Sequence, residues 1–187
     1  MSALITLILG GARSGKSSYA EKMVSKLGSS VLYIATAEAG DTEMAARIAV
    51  HRQARPDQWQ LLEAPRFVGE ALTRLPARPD VLLLDCLTLL ISNIVISLEH
   101  QSQQEIERAV LTEVEAILAA HKKLNVPLVV VSNEVGLGVV PAYSLGRVYR
   151  DVLGRANQYL ASQADCVLFM VAGLPMIVKD GGEACGG

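Results

Sequence analysis

Short apolar runs alternate with amphipathic stretches along this chain. Leu4 to Leu9, Val31 to Ala35, Val81 to Asp85, Leu128 to Ser132 and Cys166 to Val171 are almost continuously apolar and rich in branched residues. A half-buried strand would alternate, so unbroken runs of this length predict strands covered on both faces. Trp59 to Glu63 reads as one more short strand, ending at Ala64-Pro65, and Met176 to Lys179 as an edge strand paired with the run at 166–171.

The stretches between them have helical period. After Ser17, Tyr19, Ala20, Met23, Val24 and Leu27 share one face, with Gly28 placed as a C-cap. Asp41 or Thr42 can cap a helix carrying Met44, Ala45, Ile48 and Ala49, which gives out around Arg55-Pro56. Shorter helices are expected from Phe67 to Leu75 and from Leu87 to Leu98. Ser102-Gln103-Gln104-Glu105 is a capping box that opens a long helix through Ile106, Val110, Val114, Ile117, Leu118 and Leu124, stopped near Pro127. Another helix covers Leu145 to Gln163. Strand and helix in alternation mean an α/β fold: a mostly parallel central sheet flanked by helices, with a short C-terminal edge strand.

Length and composition fit this picture. A chain of 187 residues with 51% hydrophobic content can build one two-sided core. A single catalytic domain over residues 1–179 is expected, followed by a flexible glycine-rich tail at 180–187. The formal charge of −2 argues against a nucleic-acid partner. Val81 to Leu98 is interrupted by Asp85 and Asn93, so no transmembrane segment is expected. The chain opens directly into a strand, without the pattern of a cleavable leader. Cys86, Cys166 and Cys185 show no metal spacing, and the first two read as buried thiols of a cytoplasmic protein.

The chemistry is concentrated just after the first strand. Gly10-Gly11-Ala12-Arg13-Ser14-Gly15-Lys16-Ser17 satisfies G-x-x-x-x-G-K-[ST], and it stands between a strand and a helix as a phosphate-binding loop must. Glycines let successive N–H groups close on a phosphate chain at a helix N-terminus. Lys16 would reach the β- and γ-phosphates of a nucleoside triphosphate, and Ser17 would offer its hydroxyl to Mg²⁺.

In an open parallel sheet, ligands bind at the carboxyl ends of the strands. That directs attention to Ala35-Thr36-Ala37, Asp85 and Asn133-Glu134. Asp85 can complete the Mg²⁺ site or can cap the following helix. Glu63 and Glu134 can contact a ribose, a base or Mg²⁺, or stand in solvent. Arg47, His51 and Arg55 share a helical stripe with Arg52 beside it, which suits a polyphosphate better than a metal. An imidazole there can attack an α-phosphorus, and the same stripe can equally be a solvated basic face. His100 and His121 read as surface residues.

With these segments in view, the chain resembles the bifunctional adenosylcobinamide kinase/adenosylcobinamide-phosphate guanylyltransferase family. The likeness rests on GGARSGKS from Gly10, YIATA from Tyr33, MAARIAVHRQARPDQW from Met44, DCLT from Asp85, SNEVGLGVVP from Ser132, RDVLGRANQ from Arg150 and AGLP from Ala172. The HRxxRP and NEVGxGxVP patterns are its most specific parts. The resemblance implies a RecA-like phosphate-loop fold, a homotrimer, and two reactions on a corrinoid. Adenosylcobinamide is phosphorylated from ATP or GTP, and GMP is then transferred from GTP through a covalent histidine, matched by His51. Matched nucleotide-binding positions are Gly10 to Ser17, Ala35, Thr36, Ala37, Arg52, Gln53, Ala54, Arg55, Glu63 and Asp85, with Lys16 catalytic and Ser17 and Asp85 on Mg²⁺.

Overall fold

The computed structural model describes residues 3–38, 56 and 58–182. Strands β1 (Ile5–Gly10), β2 (Val31–Ala35), β3 (Gln60–Glu63), β4 (Val81–Asp85), β5 (Leu128–Val131), β6 (Cys166–Val171) and β7 (Leu174–Lys179) form one sheet in the order β3-β2-β4-β5-β1-β6-β7. Every pairing is parallel except β6 with β7. The described helices are α1 (Lys16–Leu27), α2 (Val68–Thr73), α3 (Leu87–Ser97), α4 (Gln103–Leu124) and α5 (Ser144–Gln163).

Neighbouring strand residues point to opposite faces, and each face has its own core. Leu7, Ile34, Leu84, Leu128 and Val130 pack under α2 to α5. Ile8, Tyr33, Leu83, Val129 and Leu168 pack with Ala20 and Val24 of α1 on the other face. Two covered faces explain why β1, β2, β4 and β5 read as unbroken apolar runs. Strand β7 is exposed along its whole length.

The expected helix over 41–55 lies outside the described residues. The capping box is present: the Ser102 Oγ accepts from Glu105 N at 3.3 Å, and Ser102 N donates to Glu105 at 2.9 Å. Gly28 is the C-cap of α1, as expected, and its N–H donates to Val24 O at 3.3 Å; its φ of −175° is extended, and what it lacks room for is a side chain, since a Cβ would stand 2.4 Å from Asp80 Cβ. Three local expectations are corrected. Leu27 lies exposed, off the buried stripe of α1. His121 is buried on α4, where desolvation lowers its pKa. Cys166 is disulfide-bonded, whereas Cys86 is a free thiol.

Candidate active site at the carboxyl edge of the sheet

The phosphate loop leaves β1 through Gly10 and turns into α1 at Gly15. Gly15 has φ +92°, a left-handed conformation that side chains resist, and a Cβ there would meet the backbone of Gly173 at 3.2 Å. The contact exists because the β6–β7 turn buttresses the loop: Gly173 N donates to Ser14 O at 3.0 Å. Ala172 and Gly173 both have positive φ, as the tightest hairpin turns require. Strand β7 therefore does more than close the sheet, since its turn holds the loop in shape.

Lys16 is buried at the first turn of α1, and its ammonium donates to Gly11 O at 2.6 Å and to Ser14 Oγ at 3.4 Å. Burial lowers its pKa, opposed by the charges of Cys86 and Asp85. A phosphate chain replacing those neutral acceptors would stabilise the ammonium strongly.

Asp85 ends β4 two strands away from β1, and Ser17 Oγ donates to its Oδ1 at 3.3 Å. Its Oδ2 accepts from the Tyr33 hydroxyl at 2.8 Å, and the Tyr33 ring stacks on Trp59 with centroids 6.4 Å apart. Asp85 does not cap α3, whose N-cap is Cys86 with no side-chain bond. A hydroxyl and a carboxylate side by side are hard oxygen donors of the kind Mg²⁺ takes, alongside substrate phosphates. The residues present fit that ion.

Thr36 is buried at the end of β2, and its hydroxyl is committed. It donates to Cys86 O at 2.7 Å and accepts from Cys86 N at 2.9 Å, next to the cis Asp85–Cys86 peptide. Asn93 Nδ2 holds Thr36 O at 2.8 Å and Pro65 O at 3.0 Å. The Cys86 thiol is pushed up to about 12, chiefly by burial and then by Asp85, so it is no nucleophile at neutral pH. Glu63, at the end of β3, is paired in register with Ala35 and stands at the margin of this group.

On the other side, the turn after β5 is fastened by a polar network. Ser132 Oγ donates to Asn157 Oδ1 at 2.7 Å, Asn157 Nδ2 donates to Asn133 O at 3.1 Å, and Asn133 N donates to Thr88 Oγ1 at 2.7 Å. Glu134 N then donates to Gly10 O at 3.0 Å, joining the turn to the phosphate loop.

The structure thus gathers Gly10, Gly11, Ala12, Arg13, Ser14, Gly15, Lys16, Ser17, Ala35, Thr36, Ala37 and Asp85 along one edge, with Glu63 beside them. His51, Arg52, Gln53, Ala54 and Arg55 lie outside the described residues. Tyr33, Ser132, Asn157 and Gly173 all fall within segments quoted above, but their roles were not legible there, because each acts through a partner distant in the chain.

This chain matches the model of the cobinamide kinase/cobinamide phosphate guanyltransferase family over residues 6–178. It belongs to that family. The cobinamide kinase and guanylyltransferase activities of the family are those of this enzyme. It is 39% identical to the bifunctional adenosylcobalamin biosynthesis protein CobU of Salmonella typhimurium over 182 residues, 94% of this chain and 100% of that one. Identity to the Escherichia coli protein of the same name is 38% over the same shares. It is 44% to the CobP protein of Pseudomonas aeruginosa, over 92% of this chain and 96% of that one.

Solved structures show the fold alone. The RadB recombinase aligns with a TM-score of 0.51 at 15% identity, over 90% of this chain and 74% of its own. A KaiC-like protein of Pyrococcus horikoshii aligns with a TM-score of 0.55 at 12% identity, over 100% and 82%. What this chain shares with them is the fold, a mostly parallel sheet flanked by helices. Among the described residues, no helix is long and apolar enough to cross a membrane.

Proposed function

We propose that both reactions of this chain use the nucleotide site at the carboxyl edge of the sheet, with His51 as the covalent carrier of GMP. The observation that carries this reading is the approach of Ser17 Oγ to Asp85 Oδ1, 3.3 Å, beneath a loop whose lysine is buried. In the kinase step the Gly10-to-Ser17 backbone cradles the triphosphate, and Lys16 neutralises charge that develops on the transferred phosphoryl group. Ser17 and Asp85 would hold Mg²⁺, which would supply charge neutralisation to the triphosphate when bound. Ala35, Thr36 and Ala37 line the nucleotide beside Glu63, Thr36 through its backbone because its hydroxyl is spent on Cys86.

In the second step an imidazole nitrogen of His51 bonds to the α-phosphorus of GTP as the bond to the β-phosphate oxygen breaks and pyrophosphate leaves. An oxygen of the cobinamide phosphate then displaces the imidazole, giving adenosylcobinamide-GDP. Arg52 and Arg55 hold the leaving pyrophosphate, with Gln53 and Ala54 beside them. The support for His51 is its place in the matched HRxxRP segment, within residues 6–178 of the family match.

A homotrimer in the cytoplasm completes the reading. The exposed apolar side chains of β7, Leu174, Met176, Ile177 and Val178, support self-association.

The decisive experiment is incubation with α-labelled GTP and Mg²⁺, then denaturation and peptide mapping. An acid-labile, alkali-stable label on the His51 peptide, absent from His51→Ala, is the expected result. A folded, GTP-binding protein that takes no label would overturn the covalent route and leave a kinase alone.

A further inference from the structure

A cavity of about 510 Å³ lies on the α5 side of the phosphate loop, lined by Leu9, Glu134, Gly136, Arg150, Gly154 and Gln158 among others. Two of its lining residues adjoin the phosphate loop: Leu9 precedes Gly10 in the chain, and Glu134 N donates to Gly10 O at 3.0 Å. Cavities of this size take small organic ligands.

Its charge is balanced. Arg150 and Arg155 face two carboxylates, Asp151 and Glu134, so the lining has no net sign. Both arginines are already paired, Arg150 with Asp151 at 2.9 Å and Arg155 with Glu107 of α4. Such a wall suits neutral polar groups rather than a polyphosphate, which draws unpaired cations.

Gly154 is the second observation. It lies in the interior of the 20-residue α5, where glycine weakens a helix. Packing does not demand it: a Cβ there would meet nothing within 4 Å. Gly146 of the same helix is different, since its Cβ would stand 2.7 Å from the Tyr143 ring. The space at Gly154 is open and forms part of this cavity.

Glu134 is the third. Its carboxylate makes no salt bridge among the described residues and accepts only from Gly136 N at 2.8 Å. The other acid at this edge, Asp85, is held on both oxygens by Ser17 and Tyr33.

The geometry points to this cavity as the seat of the corrinoid acceptor, with Glu134 as the base for its hydroxyl; the inference rests on the reading of the nucleotide site given above. A corrinoid exceeds the cavity, so an amide-bearing edge and the aminopropanol arm enter it. The hydroxyl proton passes to the Glu134 carboxylate as the oxygen bonds to the γ-phosphorus. The bond from that phosphorus to the β–γ bridging oxygen breaks, and the nucleoside diphosphate leaves with the electron pair.

Steady-state kinase assays with adenosylcobinamide and ATP test this in wild type, Gly154→Phe and Glu134→Gln. Gly154→Phe should raise KM for adenosylcobinamide about 10-fold or more, with the Kd of a fluorescent ATP analogue and the oligomeric mass unchanged. Glu134→Gln should lower kcat about 100-fold and flatten the acid limb of the pH–rate profile, with KM for the acceptor retained. An unchanged acceptor KM in folded Gly154→Phe, or a rise that accompanies a changed oligomeric mass, overturns the cavity. Wild-type kcat in Glu134→Gln overturns the base. Amide exchange on the wild-type enzyme needs no variant: adenosylcobinamide should protect residues 133–136 and 150–158, and no protection there overturns the cavity. A wild-type enzyme that forms no phosphorylated cobinamide overturns the underlying reading, which separates that failure from failure of the cavity alone.

Discussion

Ser17 and Asp85 are 68 residues apart in the chain, yet the Ser17 hydroxyl donates to the Asp85 carboxylate at 3.3 Å. The first turn of α1 and the last residue of β4 meet because both lie at the same edge of a parallel sheet. This pair is the point from which the catalytic expectations follow.

Lys16 sits beside that pair and has neutral acceptors, Gly11 O and Ser14 Oγ. Replacing it with Ala should lower kcat of the kinase reaction about 10²- to 10³-fold, as for loss of one preorganised donor to developing charge. Thermal unfolding should be little changed or improved, because a buried ammonium whose pKa is lowered by desolvation is a stability cost. Steady-state kinetics beside calorimetry separates the two effects.

Tyr33 does not touch substrate in this reading and positions Asp85 through a 2.8 Å hydrogen bond. Tyr33→Phe should raise the Mg²⁺ concentration at half-maximal activity about 10-fold, in line with loss of an outer partner of a metal ligand. The check is a Mg²⁺ titration of kinase activity at saturating ATP. A lower plateau without a shifted midpoint would show that Tyr33 acts on the fold instead.

Gly69 of α2 packs against α4, where an added Cβ would stand 2.5 Å from Ala116 Cβ and 2.6 Å from the Ala116 backbone. Gly69→Ala should cost about 1–3 kcal/mol as overpacking, despite the better helix propensity of alanine. Urea unfolding should show a lower midpoint with the slope unchanged.

Asp80 ties the start of β2 to β4, accepting from Ser30 N at 2.8 Å and Ser29 N at 3.0 Å. The Ser30 N–H, followed by the Ser29 hydroxyl, holds its carboxyl below the usual range. A depressed carboxylate stabilises the fold above its unfolded value and loses that contribution as pH falls through the folded one. Asp80→Ala should therefore lower Tm at pH 7, and the gap should close in acid below the ordinary carboxylate range. A gap constant with pH would assign the effect to packing against Gly28.

Much of the fold was legible because its signals are local. Buried parallel strands are continuous apolar runs, and β4 and β5 were read within a residue of their observed ends. The capping box of α4 is complete within four residues, Ser102 to Glu105. The phosphate loop likewise carries its chemistry in eight consecutive residues, from Gly10 to Ser17. Gly28 shows the limit: the residue type was right for a helix end, but the reason is Asp80, 52 positions away.

The sequence by itself determined the alternation of strand and helix, the phosphate loop and the family. These follow from period, composition and motif, which depend on neighbours in the chain. Only the tertiary structure decided that Tyr33 holds Asp85, that the Ala172–Gly173 turn braces Ser14, and that Thr36 is spent on Cys86. It also placed Gly154 against open space beside Glu134. Those relationships join residues that are remote in sequence, and a sheet order that sets β2 beside β4 and β1 between β5 and β6 is what brings them together.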